Sequence, residues 1–323
     1  MIRHKKILSI LIKIAIGLAS FLIIYFRIRK DFTPENIILL SDSVLSLTGI
    51  VSLLICLVLI PVNWGLESYK WKLITTPIEP VSFRTASLSV YSGICLGNLA
   101  PGRATEFIAK IIFFKPENRP QITILHFVNG MFQLSVTYLV GFIALAYRLN
   151  SFGDDYVWVA YTAISSAAVV ILIFILCIIK IDWVLNFITQ RISKKKGTGK
   201  LEYQFNASLL FQLFGFSVLR YAVFFIQMAL LINLFAQTFS FTIALGIALY
   251  FLITTTIPMI SFLEAAIRAA VALIVFKDSG MSGAALALAS VTVWIVNIII
   301  PSITGYFILL KQKFDFKFYA SKK

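Results

Sequence analysis

Residues 88–114, LSVYSGICLGNLAPGRATEFIAKIIFF, and residues 245–276, LGIALYFLITTTIPMISFLEAAIRAAVALIVF, decide how this chain must fold. Each is an apolar stretch interrupted near its middle by a proline. A glutamate follows the proline by five or six residues, and a cation stands four residues beyond the glutamate. The sets are Pro101, Glu106 and Lys110, and Pro258, Glu264 and Arg268. A proline supplies no backbone donor and disfavours helix at the residue before it, so unwinding is expected at Ala100 and Ile257. Polar backbone freed at membrane depth is tolerated only inside protein or along a wet cavity. A new helix is expected after each break. Its glutamate sits early, where the helix dipole favours an anion, and its cation lies one turn on along the same face.

Around these two stretches the chain is overwhelmingly apolar. Of its 323 residues 59% are hydrophobic and only 13% charged, and the mean hydropathy is +0.92. Soluble domains carry roughly twice that share of charge and break their apolar runs every few positions. Here runs of about twenty residues, enough to cross a bilayer, cover Ile7 to Phe26, Val44 to Trp64, Ile122 to Tyr147, Val157 to Ile179, Leu209 to Phe235 and Ala284 to Leu310. The broken stretches occupy Phe83 to Phe114 and Phe241 to Phe276. No intervening segment is long enough to bury an aqueous core of its own. The expectation is a single all-α, polytopic helical membrane domain over 1–323. It has six full spans and two broken, re-entrant segments in an inverted-repeat arrangement, with halves near 44–147 and 205–310.

The net charge of +15 sits in short clusters beside hydrophobic runs: Arg3, Lys5 and Lys6; Lys194 to Lys196 with Lys200; and Lys311, Lys313, Lys317, Lys322 and Lys323. That placement speaks for topology and anionic lipid and against nucleic acid. It puts both termini on the cytoplasmic side of a multi-pass cell (inner) membrane protein, with Asp154 and Asp155 opposite. Arg27, Arg29 and Lys30 then fall outside and oppose the rule. The run from Ile7 to Phe26 is too long for a signal-peptide core, so it is expected to stay as a helix. Cys56, Cys95 and Cys177 lie in apolar segments without metal-ligand or CxxC spacing and read as small core residues. Trp64 to Thr76 mixes aromatic rings with Glu67, Lys70 and Lys72, which reads as an amphipathic helix in the headgroup layer.

A charge at mid-bilayer costs from roughly 3 to above 10 kcal/mol, so such groups usually face a cavity, a partner or a substrate. The paired Glu106 and Lys110, and Glu264 and Arg268, are the leading candidates. The alternative is that they pin the broken helices or reach an interface. Arg103, just after Pro101-Gly102, suits bidentate contact with a phosphate, or an interfacial anchor. Arg220 is a full charge between long uncharged stretches. Asn98, Asn129, Gln133, Gln227 and Asn297 suit interhelical hydrogen bonding, with Asn98 also a candidate for substrate contact. His4 and His126 are the only histidines, and no HExxH, Ser-His-Asp, dinucleotide or P-loop pattern occurs. Nothing in the sequence calls for a cofactor or a metal.

Asn63-Trp64, Tyr69-Lys70-Trp71, Asn98 to Arg103 with Glu106, and Pro258 with Glu264 resemble the flippase-like transmembrane region of lysylphosphatidylglycerol synthases. That region also occurs in stand-alone membrane proteins and some archaeal glycosyltransferases. The resemblance spans most of the chain through short motifs. Pro101, Gly102, Arg103 and Glu106 match the family's Pro-Gly-Arg-x-Gly-Glu pattern. Thr105 stands where glycine is usual, Lys70 where arginine is common, and Met259 to Phe262 where the family is glycine-rich. These departures leave the implied fold intact and bear on substrate identity. The resemblance implies the membrane part alone, which in the family is associated with moving lipids between leaflets, and not the aminoacyltransferase domain.

The expected function is therefore translocation of a lipid or lipid-linked saccharide with an anionic headgroup. Arg103, Arg220, Asn98 and the two glutamate-cation pairs would line its path. Two other readings stand beside it: an integral-membrane enzyme or accessory subunit acting on phospholipid or polyprenyl-phosphate substrates, with Glu106 or Glu264 as general base, and a membrane scaffold. Assembly as a homo-oligomer is left open.

Overall fold

The computed structural model describes residues 33–98, 103, 105–150, 206–257 and 263–311, with a scatter of single positions elsewhere. Among the described residues every regular element is helical. A short helix α1 (Pro34–Leu45) precedes two helix quartets, each in the order long, short, short, long. The first comprises α2 (Leu47–Thr75), α3 (Phe83–Asn98), α4 (Glu106–Ile111) and α5 (Arg119–Asn150). The second comprises α6 (Ala207–Ala236), α7 (Phe241–Thr256), α8 (Glu264–Val275) and a final rod made of α9 (Gly283–Trp294), a π-helical turn (Ile295–Ile299) and α10 (Ile300–Lys311).

Among the described residues four helices are long and apolar enough to cross a membrane, and they are the four long members of the quartets. The 29 residues of α2 span about 43 Å at 1.5 Å per residue, more than the roughly 30 Å of hydrocarbon in a bilayer. By the same measure the 16 residues of α3 and of α7 reach about 24 Å. The expected spans at 7–26 and 157–179, and the basic clusters outside Lys311, lie outside the described residues.

Local chemistry sets the helix ends. Ser46 accepts a hydrogen bond from Gly49 N at 3.0 Å to start α2. Asn206 does the same for Leu209 N at 2.8 Å to start α6, and Ser240 for Ile243 N at 3.3 Å to start α7. Each such side chain occupies one of the donors that a helix N-terminus leaves without a partner. Ile257, ahead of Pro258, is extended (φ −74°, ψ 124°) and ends α7 where the residue before a proline is driven out of helix. Pro101, Gly102 and Pro258 themselves, and the expected break at Ala100, lie outside the described residues.

The two quartets pack reciprocally. The opening long helices α2 and α6 lie against each other, α3 packs on α10, and α7 packs on α5. Each of the last two crossings has a glycine on the long helix. A Cβ at Gly305 of α10 would stand 2.0 Å from the Tyr91 carbonyl oxygen of α3, and one at Gly141 of α5 would stand 2.5 Å from Leu252 Cβ of α7. Only a missing side chain allows approach this close, which is how membrane helices gain packing contact when lipid supplies no hydrophobic drive between them.

One expectation is overturned. Trp64 to Thr75 is not a separate amphipathic helix at the headgroup layer but the second half of α2, and Trp64, Glu67, Lys70 and Trp71 are all buried in the bundle. Gly65 does not interrupt the helix, and Asn63, Glu67, Lys70 and Ile74 recur at helical spacing on one inward face. The mixture of rings and charges faces protein and a cavity instead of lipid headgroups.

Candidate functional site

The inward faces of the long helices and the starts of α4 and α8 enclose a cavity of about 690 Å³. Arg103, Glu106, Lys110, Arg220 and Arg268 line it, five of the seven residues singled out from the sequence. Glu264 stands behind the wall and holds Arg268 through Oε1, at 3.0 Å from Nε and 2.8 Å from Nη2. Asn98 is not among the lining residues and donates to Ser302 Oγ at 3.0 Å instead.

The centre of the site is a residue that composition disguised. Glu67 is buried and meets three cations: Arg220 Nη1 and Lys70 Nζ (3.4 Å) on Oε2, and Lys110 Nζ (3.5 Å) on Oε1. Asn129 Nδ2 adds a hydrogen bond to Oε1 at 2.8 Å. Lys110 also reaches Glu106 Oε1 at 3.0 Å, and Arg103 Nε lies 3.1 Å from Glu106 Oε2. Lys110 is therefore the one cation here that touches both carboxylates, and its ammonium sits 5.1 Å from the Trp71 ring centre. The charges run as a chain, Arg103 to Glu106 to Lys110 to Glu67 to Arg220 and Lys70. Lys70 and Lys110 are 0% and 1% exposed, and breaking such a buried pair typically costs 3–5 kcal/mol.

Asn63, together with Gln227 and Asn297, which the sequence suggested as interhelical bonders, carries the chain further. Arg220 Nε donates to Asn63 Oδ1 at 3.0 Å, and Asn63 Nδ2 donates to Asn297 Oδ1 at 3.1 Å. Asn297 Nδ2 donates to Gln227 Oε1 at 2.8 Å, and Gln227 Nε2 to the Cys56 carbonyl at 3.0 Å. Asn297 sits in the π-helical turn, where the Ile300 N–H reaches back to the Ile295 carbonyl. Pro301 follows in α10 and cannot donate, so the widened turn absorbs the missing bond.

Arg103 has φ 56°, a left-handed conformation that a residue with a Cβ adopts only at a cost of about 1–3 kcal/mol. It turns the chain into α4 and brings its guanidinium to the cavity.

The cavity also gathers polar atoms without protein partners. Trp64 Nε1, Arg103 Nη2, His126 Nδ1, Asn129 Oδ1, Tyr221 Oη and Trp294 Nε1 are buried atoms that make no hydrogen bond among the described residues, and all six residues line it. Each such group costs roughly 1–3 kcal/mol if it stays unmade. Phe107, Phe127, Leu134, Phe224 and Phe251 form the apolar part of the wall, and Phe127 and Leu134 are 58% and 41% exposed.

Five cations and two carboxylates lining one cavity can hold an anion, and the aromatic wall can take an apolar group beside it. Among the described residues no cluster of three or more His, Cys, Asp or Glu could hold a metal ion. The sequence reading missed Glu67, Lys70, Trp64, Tyr221 and Trp294 as site residues. The signal for the α2 group was available in the helical spacing of Asn63, Glu67 and Lys70. Tyr221 and Trp294 carry no such signal, because single aromatic residues in apolar runs are ordinarily core. No family model matches the chain, and no curated protein is similar to it.

Proposed function

We propose that this protein is a flippase-like translocase of the cell membrane that moves a lipid, or lipid-linked saccharide, with an anionic headgroup between leaflets. The observation that carries the reading is the basic cavity, held between helices long enough to span and bounded by a wall that includes the exposed Phe127 and Leu134. A phosphate would be drawn to Lys70, Lys110, Arg220, Arg103 and Arg268, while the acyl or prenyl chain stays against the aromatic side. Glu67 and Glu106 compete with the phosphate for the same cations, so binding exchanges one set of ion pairs for another and stays weak enough to reverse.

In this reading the two quartets are an inverted repeat and the pairs α3/α4 and α7/α8 are re-entrant. The arrangement is that of transporters that alternate around a fixed midplane site. Reciprocal packing and a glutamate-cation pair at the start of both α4 and α8 support it. So does the resemblance to the flippase-like region of lysylphosphatidylglycerol synthases, to which Lys70 and Trp71 belong. In this reading the termini lie in the cytoplasm, which the basic clusters of the sequence support.

Purified protein in liposomes with a fluorescent phosphatidylglycerol tests this. Faster leaflet exchange than in protein-free vesicles is expected, and exchange equal to theirs at verified reconstitution would sink the reading. A new lipid product in the same vesicles by mass spectrometry would favour an enzyme instead.

A further inference from the structure

The cavity separates two kinds of recognition. Its cations suit a phosphate, but charge alone does not account for the neutral groups beside them. Trp64 and Tyr221 are 4% and 7% exposed and Asn129 2%, and their Nε1, Oη and Oδ1 atoms make no hydrogen bond among the described residues. Trp294 Nε1 is in the same condition. The orientation of Asn129 is determined by its partner: a carboxylate only accepts, so Nδ2 must face Glu67 and the oxygen is left toward the cavity. Beside His126 Nδ1, the site thus holds three neutral donors, Trp64, Tyr221 and Trp294, and one neutral acceptor, Asn129, contributed by α2, α5, α6 and the end of α9. A hydroxyl group both accepts from and donates to neutral partners such as these. An ammonium group finds no place there, because Glu67 and Glu106 are already engaged by cations and any added cation would sit among five others. A volume of about 690 Å³ exceeds what a bare phosphate fills.

We propose that the cavity selects a headgroup carrying both a phosphate and free hydroxyls, a polyol or sugar phosphodiester, and rejects headgroups that bear an ammonium. The inference rests on the translocase reading only in taking the ligand to be a lipid. Its test is equilibrium binding, so the two can fail separately.

The full chain in detergent is titrated with short-chain phosphatidylglycerol, phosphatidic acid and phosphatidylethanolamine, with affinities from native mass spectrometry. Charge alone would rank phosphatidic acid first. The hydroxyl site reverses that order, and phosphatidylglycerol is expected to bind roughly tenfold tighter, the worth of about one well-made hydrogen bond. Phosphatidylethanolamine binds weakest. Tyr221→Phe and Trp294→Phe each keep a ring and remove one donor. Each is expected to lower phosphatidylglycerol affinity severalfold at unchanged phosphatidic acid affinity and unchanged unfolding midpoint. Phosphatidic acid binding as tightly as phosphatidylglycerol overturns the proposal. So does phosphatidylethanolamine binding equally well, or an unchanged preference in both variants. Should Tyr221→Phe fail to fold, Trp294→Phe alone decides. Competition by sn-glycerol 3-phosphate at the lipid's own affinity would make the ligand a soluble organophosphate and overturn the lipid assignment. Selective binding without leaflet exchange would leave this inference standing and remove the translocase.

Discussion

The two helix quartets share a plan and divide the chemistry unequally. In the first, the helix after the break is six residues long, and its Glu106 and Lys110 join Arg103, Glu67, Lys70 and Arg220 in one continuous chain of ion pairs. In the second, the helix after the break runs twelve residues, and among the described residues Glu264 makes its one ion pair with Arg268. A scaffold that uses the same crossing twice, with Gly305 against α3 and Gly141 against α7, does not need the same side chains twice. The difference teaches that the repeated part is architecture, whereas the charge network is specific to one side, where α2 supplies Glu67 and Lys70.

The sharpest way to break that comparison is to remove the centre of each network. Glu67→Ala leaves Arg220 and Lys70 without their carboxylate. It is expected to cost about 3–5 kcal/mol, read as a large fall in the detergent unfolding midpoint or loss of a monodisperse species. Glu264→Ala leaves one partly exposed arginine and is expected to cost about 1–3 kcal/mol. Equal losses would contradict the asymmetry. In transport the order is expected to hold as well. Glu106→Gln keeps its shape but gives up the charge facing Arg103 and Lys110, and leaflet exchange should fall roughly tenfold or more, or about 1.4 kcal/mol of barrier. Glu264→Gln should have a smaller effect, and the reverse order would move the working site to the second quartet.

Much of this was open to a reader of the sequence. The four long helices follow from apolar runs. The breaks follow from proline, and the extended Ile257 bears that out in the second stretch. The grouping of Arg103, Glu106, Lys110, Arg220 and Arg268 follows because charges in an apolar chain converge where they can be paired. What escaped was α2 beyond Trp64. Tryptophan, tyrosine and lysine together look like a membrane interface, and only the inward spacing of Asn63, Glu67 and Lys70 distinguishes a buried polar face from a headgroup-facing one. Asn98 takes the interhelical role that the sequence suggested: its amide bonds to Ser302 of α10 and ties two helices together.

Smaller effects sharpen the shared part. Gly305→Ala presses a methyl against a backbone carbonyl that cannot rotate away and is expected to cost about 1–3 kcal/mol in unfolding free energy. Asn297→Leu strands Asn63 and Gln227, with a similar loss of about 1–3 kcal/mol. Asn98→Ala should cost only about 0.5–1.5 kcal/mol and leave lipid exchange unchanged.

Lys110 is the residue on which the account turns, since it joins the carboxylate of the broken segment to the carboxylate of α2. Lys110→Met leaves Glu67 with Arg220 and Lys70, and Glu106 with Arg103, so both acids keep a cation. Leaflet exchange of fluorescent phosphatidylglycerol by this variant, once shown to be folded and monodisperse and at matched reconstitution, is expected to drop to the rate of protein-free vesicles. Exchange at the wild-type rate would show that the charge chain is not the path of the headgroup.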